Sequence, residues 1–240
     1  MLLGAANLAD GQTPIEIPQR EVAAHRISHV HWIRAPGGLF EGLQLHIEVD
    51  ENGAVTSVKV IDGRGEFREA AVALAKTWRY RPFVRHGWTV PATLSERISV
   101  FPPERPVTGN VPFPSVRDWD SLKITLQRTT CYGNCPAYEV QIDGNGDVVF
   151  DGKRRRNISR EALQALLEVF RKANYFSLDR EYRILATDLP TYIVSVSIDG
   201  QSMSVEDYGG LQVGMPTSVR DVEDAIDETA GTRDWLKHHR

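Results

Sequence analysis

Prolines at positions 102, 103, 106, 112 and 114 crowd one aperiodic stretch of this 240-residue chain, and they constrain the fold more than any other feature. Proline has no backbone N–H to give to a ladder, and it pushes the residue before it out of the helical region. Strand and helix patterns stop at this stretch and resume beyond it, so it is the natural boundary between two domains. Each side is long enough to bury a core without a metal or a cross-link. The reading is an amino-terminal lead-in over residues 1–42, a domain over 43–105, a linker over 106–119 and a second domain over 120–236. The fold class expected is α+β, with each domain an antiparallel sheet carrying one or two packed helices.

The first domain is legible from residue 43. Leu45, Ile47 and Val49 alternate with Gln44, His46, Glu48 and Asp50, the period of a strand with one buried face. Asp50-Glu-Asn52-Gly53 turns the chain, and residues 54–61 return as a second strand. A helix is expected over 67–79, with Phe67, Ala70, Ala71, Leu74, Ala75 and Trp78 on one stripe against the hairpin. Further strands follow over 80–84 and 90–101, with a turn at His86-Gly87. The preceding stretch, 15–43, has no clear period. His25, His29 and His31 sit close enough to suggest a metal, but no thiolate or carboxylate at matching spacing completes a tetrahedral set.

The second domain opens on Leu122, Ile124 and Leu126, alternating with polar residues and running into Arg128. Tyr138, Val140 and Ile142 alternate again, and Asp143-Gly-Asn-Gly-Asp147 turns into Val148-Val-Phe150, so three strands form a meander. That turn is a poor calcium loop, because Val148 stands where glycine is required and Arg154 where the bidentate acid belongs. Lys153-Arg-Arg-Arg156 reads as a solvated strand end or loop, with a grip on an anionic partner as the other reading. Ser159 is a helix cap with Ile158 and Leu163 placed as a hydrophobic staple, and Leu163, Leu166, Leu167 and Phe170 make the buried stripe. A hairpin turns at Asp199-Gly200. The last helix starts after Thr217 or Ser218, with Val219, Val222 and Ile226 inward and Asp221, Glu223, Asp224 and Glu228 on a solvated outer face.

Cys131 and Cys135 are the only two cysteines, in Arg128-Thr-Thr-Cys131-Tyr-Gly-Asn-Cys135-Pro-Ala-Tyr138. A zinc ribbon needs a second ligand pair, and a thioredoxin-type site needs two intervening residues at a helix start. A catalytic thiol wants a partner histidine, and the second domain has only His238 and His239. A structural disulfide closing the turn is the favoured reading, followed by a redox or sensing role and then by packed, reduced thiols. Arg128, Tyr132, Tyr138, Asp188, Asp207 and Tyr208 form a candidate recognition surface around that turn, with internal packing and an internal ion pair as the other reading. No cofactor or metal is expected.

Two resemblances rest on these residues. Asp50-Glu-Asn-Gly53 with Val55-Thr-Ser-Val-Lys-Val60, Phe67 to Ala71, Trp78-Arg-Tyr-Arg-Pro82, His86-Gly87-Trp88 with Val90-Pro91, and Ser99-Val-Phe101 occur in an order that resembles the carboxy-terminal domain of TonB-type energy transducers over residues 43–103. That implies a small α+β domain whose edge strand pairs with a short peptide of a receptor. The 240 residues hold neither a membrane anchor nor a long proline-rich spacer, so force transmission to a transporter is not expected. Arg128 with Cys131-Tyr-Gly-x-Cys135-Pro-x-Tyr138, the Gly144 to Gly152 hairpin, Asp188-x-Pro190 and Val205-x-Asp207-Tyr208 resemble an uncharacterised bacterial family of unknown function over residues 120–236.

A formal net charge of −4 gives no attraction to nucleic acid or anionic lipid, and no apolar run is long enough to span a bilayer. Residues 1–110 hold 12 basic and 12 acidic side chains, so all of the net charge lies beyond them. Met1-Leu-Leu-Gly-Ala-Ala-Asn-Leu-Ala9 resembles the end of a secretory signal, and an ordinary amino terminus is the other reading. The expectation is a non-enzymatic periplasmic or envelope-associated protein acting as a protein- or peptide-binding or scaffold module, with edge-strand pairing at the first domain and a cytoplasmic location as the alternative. A thiol redox protein using Cys131 and Cys135, and an inhibitor or immunity-like binder, are the competing functions.

Overall fold

The alternation at Leu43, Leu45, Ile47 and Val49 buries all four side chains, and the strand that carries them lies at the centre of the first sheet. The computed structural model describes residues 13–27, 30–36 and 41–237, so the signal-like start, His29 and the histidine tail lie outside the described residues. The chain divides into two compact units, Met1–Phe101 and Pro102–Arg240.

The first unit runs β1 (Ile15–Glu16), α1 (Gln19–His25), β2 (Trp32–Arg34), β3 (Glu41–Val49), β4 (Val55–Asp62), α2 (Arg68–Ala75), β5 (Phe83–Arg85), β6 (Trp88–Val90) and β7 (Ala92–Phe101). The sheet order is β1-β7-β3-β4, with β2 also on β7. β3 pairs antiparallel with β4 and β7, whereas β1 and β2 add to β7 in parallel at Ala92–Thr93 and Ser99–Phe101. β5 and β6 make a separate hairpin. At the β3–β4 turn Gly53 has φ 80°, and a Cβ there would fall 1.9 Å from the carbonyl oxygen of Tyr80, so the position requires glycine.

Two expectations change here. The helix ends at Ala75 rather than Arg79, because the amides of Thr77 and Trp78 bond back to Leu74 and Ala75 and tighten the turn. Trp78 then leaves the helix to lie buried with its indole N–H donating to the Val30 carbonyl at 2.9 Å, and Ala70 faces solvent. The stretch read as a lead-in is built into this unit. Its anchor is electrostatic: Arg26 grips Glu96 of β7 with two N–H donors, and the Tyr80 hydroxyl donates to the same carboxylate at 3.2 Å. Glu96 is 0% exposed. His25 stacks on Phe83 and His31 lies against Trp78, so both pack on the core's aromatic rings.

The second unit contains β8 (Lys123–Arg128), β9 (Tyr138–Asp143), β10 (Asp147–Phe150), β11 (Arg154–Asn157), α3 (Arg160–Lys172), β12 (Glu181–Arg183), β13 (Tyr192–Ile198), β14 (Gln201–Tyr208), α4 (Thr217–Ala230) and α5 (Thr232–Lys237). Its seven-stranded sheet has the order β11-β10-β9-β8-β13-β14-β12, antiparallel throughout except for β12 on β14. α3 and α4 pack Leu163, Leu166, Leu167, Phe170, Val219, Val222 and Ile226 into one cluster with the strand residues Ile124, Leu126, Val140, Phe150 and Val194. Ser159 accepts from the amide of Ala162 as the cap of α3.

The proline stretch is fastened to this second unit. The Arg105 amide donates to the Gly214 carbonyl, Val111 exchanges two hydrogen bonds with the Ser177 hydroxyl, and Phe113 packs edge-on against Phe176. Asp199 accepts from the amides of Arg117 and Asp118. Proline prevents this segment from forming a ladder, yet the amides of Arg105, Val111, Arg117 and Asp118 find side-chain and loop partners. Arg154 and Arg156 of the basic run donate to the carbonyls of Trp235 and Ala230, where the ends of α5 and α4 present unpaired oxygens.

Replacing Arg26 by Ala removes the ion partner of a fully buried carboxylate. The expected cost is about 3 kcal/mol of stability, read by urea unfolding of the whole chain, because breaking one side of a buried pair strands the other charge.

Candidate functional site

One end of the seven-stranded sheet collects the polar residues singled out in the sequence. Arg128 ends β8, Tyr138 begins β9, Tyr192 begins β13, and Asp207 and Tyr208 end β14. The registers pair Arg128 with Tyr138 on one side and with Tyr192 on the other, and Tyr192 with Asp207, so antiparallel pairing alone brings them together. The disulfide Cys131–Cys135 closes the loop between β8 and β9 at this same end.

α4 supplies the partners. Arg128 donates to Asp227 at 2.5 Å, and the Tyr138 hydroxyl donates to the same carboxylate at 2.8 Å. Asp207 accepts from the Gly210 amide at 2.6 Å and faces Arg220 at 3.4 Å, while Arg220 also donates to Glu223 at 2.9 Å. The guanidinium carbons of Arg128 and Arg220 lie 4.3 and 4.9 Å from the centroid of the Tyr192 ring, so each cation meets the ring's electron-rich system as well as a carboxylate.

Burial tunes these groups. Burial works against the charge of Arg128, but Asp227, Tyr138 and Glu223 together hold its pKa above the ordinary value. Burial pushes the Tyr138 phenol up, with Arg128 opposing and Asp227 adding to the rise. Asp207 is raised by burial against the pull of Arg220. Glu223 is pushed up to about 8, chiefly by burial, with Arg220 opposing and Asp207 reinforcing.

The six residues of the candidate recognition surface thus separate into three settings. Tyr138, Asp207 and Tyr208 are buried, and Arg128 is enclosed by Asp227 and two tyrosine rings. Arg128 pairs with Asp227 at 2.5 Å and more distantly with Asp224 at 4.0 Å, both on α4 and both outside the six. Tyr132 and Asp188 face solvent, Tyr132 at 90% exposure. Their loops are tied together: the Tyr132 amide donates to the Asp188 carbonyl, the Thr129 amide to Thr191, and the Thr191 amide to the Thr129 hydroxyl. Beneath them Tyr208 donates its hydroxyl to the Ala186 carbonyl and accepts from the Leu189 amide, holding the loop on which fully exposed Leu185 stands.

Glu223 corrects the reading of α4. Expected on the solvated face, it is 1% exposed. The helical period already contained the signal, because Val219, Glu223, Ile226 and Ala230 recur at spacings of four, three and four and define one buried stripe. Asp221, Asp224 and Glu228 do face solvent. At the acidic hairpin, Asp143 accepts from the amides of Asn145 and Asp147, which caps its own turn.

Two family models match, one in each unit. Residues 42–99 match the Gram-negative bacterial TonB protein C-terminal, and residues 122–230 match a domain of unknown function (DUF6438). No curated protein matches the chain. The TonB match begins at β3, so β1, α1 and β2 lie outside it. TonB C-terminal domains are non-catalytic protein-interaction modules of the Gram-negative periplasm. The DUF6438 match spans β8 to the end of α4 and so takes in the whole polar end of the sheet. Among the described residues no group of three or more histidine, cysteine or acidic side chains is arranged to hold a metal, and no helix is long and apolar enough to cross a membrane.

Two measurements separate presented from packed residues. Tyr132→Ala is expected to leave the unfolding midpoint within about 0.5 kcal/mol of the parent, whereas Tyr138→Ala is expected to cost about 3 kcal/mol, as for a buried aromatic. Alkylation followed by mass measurement is expected to label neither cysteine before reduction and both after it.

Proposed function

We propose that this chain is a protein-binding module of the bacterial envelope, in which the TonB C-terminal-like unit takes an extended peptide onto the edge of β4. One observation carries this reading. β4 pairs with β3 on one side and with no strand on the other among the described residues, while the opposite edge of the sheet is filled by the chain's own residues 15–16 and 32–34. An unpaired edge offers a row of N–H and C=O groups, and an added strand satisfies them. Ile61, half exposed on β4, supplies apolar contact beside that row.

The DUF6438 unit then serves as a recognition or scaffold module, presenting Tyr132 and Leu185 on two loops clamped by the disulfide and by Tyr208. An aromatic held rigidly at a loop tip contacts a partner with little further loss of conformational freedom.

The test is an amide-resolved nuclear magnetic resonance titration of the whole chain with extended peptides of the kind that TonB C-terminal domains pair with. Shifts concentrated in residues 55–62 support the proposal, as does a weakening of roughly tenfold on Ile61→Lys, since an edge lysine opposes strand addition. Shifts confined to other elements, or saturable binding that Ile61→Lys leaves unchanged, would overturn it.

A further inference from the structure

Asp207 and Glu223 are two buried carboxylates that share one guanidinium, that of Arg220, whose side chain is partly exposed. Asp207 is 3% exposed and Glu223 is 1% exposed. The same nitrogen of Arg220 faces both, at 3.4 and 2.9 Å. Two ionised carboxylates around one cation leave a net negative charge where little solvent screens it, and such a pair retains a proton that a lone surface glutamate would lose. Asp207 is the better placed to stay ionised, because the Gly210 amide also donates to it. The proton therefore falls to Glu223.

The groups facing this pair come from every packed element. Arg220 and Glu223 lie on α4, Asp207 ends β14, Arg128 ends β8, Tyr192 begins β13, and Tyr175 lies in the short turn after α3. Arg128 is committed to Asp227 and two tyrosine rings, so it offsets only part of a second negative charge. Tyr175 is neutral, its phenol held far above its ordinary range by burial and by Glu223, and its hydroxyl donates to the Val194 carbonyl.

We infer that Asp207, Arg220 and Glu223 form a pH-sensitive latch that seats α4 on the polar end of the sheet while Glu223 is protonated and weakens that seating when Glu223 ionises. Three strand ends depend on it: Asp207 lies in β14, and α4 also carries Asp227, which holds Arg128 and Tyr138 on either side of the disulfide loop. A loosened α4 therefore loosens the base of the loop that displays Tyr132. The inference is independent of what either unit binds.

The sign follows from linkage. Glu223 titrates near 4.5 in an unfolded chain and at about 8 in the folded one. Its stabilisation is complete below the unfolded value, declines as the pH rises above it, and is lost as the pH passes through the folded value. Asp207 shifts in the same direction and remains in the variant, so Glu223→Gln isolates the contribution of Glu223.

Hydrogen-exchange protection of the α4 amides, corrected for intrinsic exchange, is expected to fall about tenfold between pH 7 and pH 9 in the parent chain and to stay nearly level in Glu223→Gln. Ordinary carboxylates are silent across that window. The carboxyl carbon-13 signal of Glu223 in the unmodified chain supplies a check that requires no variant. A midpoint above pH 7 supports the latch, and a midpoint between pH 4 and 5, or equal losses of protection in parent and variant, overturns it.

Discussion

A charge taken out of water must meet its opposite, and that constraint organises both units. Arg26 and Glu96 lie 70 positions apart, and Arg128 and Asp227 lie 99 apart. Hydrophobic burial brings such segments near one another without fixing their register, because apolar contact is non-directional. Arg26 holds Glu96 with two donors, a grip that tolerates one geometry, whereas Asp227 is held by one donor of Arg128 together with the Tyr138 hydroxyl. The pair at Glu96 holds the end of α1 on β7, and the contacts of Asp227 tie α4 to the ends of β8 and β9. With those two contacts fixed, the remaining side chains of each core pack in the positions that hydrophobic alternation assigns them.

The parts of the fold legible in the sequence were those that repeat. β3, β8, β9 and β13 show period-two alternation long enough to count, and α3 announces itself through Ser159, Ile158 and a regular leucine stripe. β1 and β2 have two and three residues, too few for any period, and they exist because β7 offers a parallel edge rather than because of their own composition. The proline stretch lacks periodicity because its amides bond to side chains and loops one at a time. For such segments the stabilising partner is distant in sequence, and local pattern carries no trace of it.

The polar end of the second sheet was half legible. Arg128, Tyr138, Asp207 and Tyr208 were recognisable as a group, and strand register explains why they converge. Their partners Asp227 and Arg220 were missed because acidic and basic residues on a helix are read as a wet face by default. Glu223 shows the weakness of that habit, since position on the helical wheel predicted its burial better than its charge did. The family matches fit this division. The TonB match begins only after the segment that seals β7, and the DUF6438 match encloses the buried polar network of the second unit.

The sheet edges also differ in what they offer to an added strand. β7 is occupied by the chain's own amino-terminal segment, β11 carries three consecutive arginines, and β12 has only three residues. Charge and shortness are the usual means by which proteins discourage strand pairing. β1, β2, β5 and β6 also have three residues or fewer, so among the described residues β4 is the one long edge without a run of charge. A single long edge can terminate a ladder and cannot extend one, so two copies meeting at β4 would close a pair instead of starting a fibre.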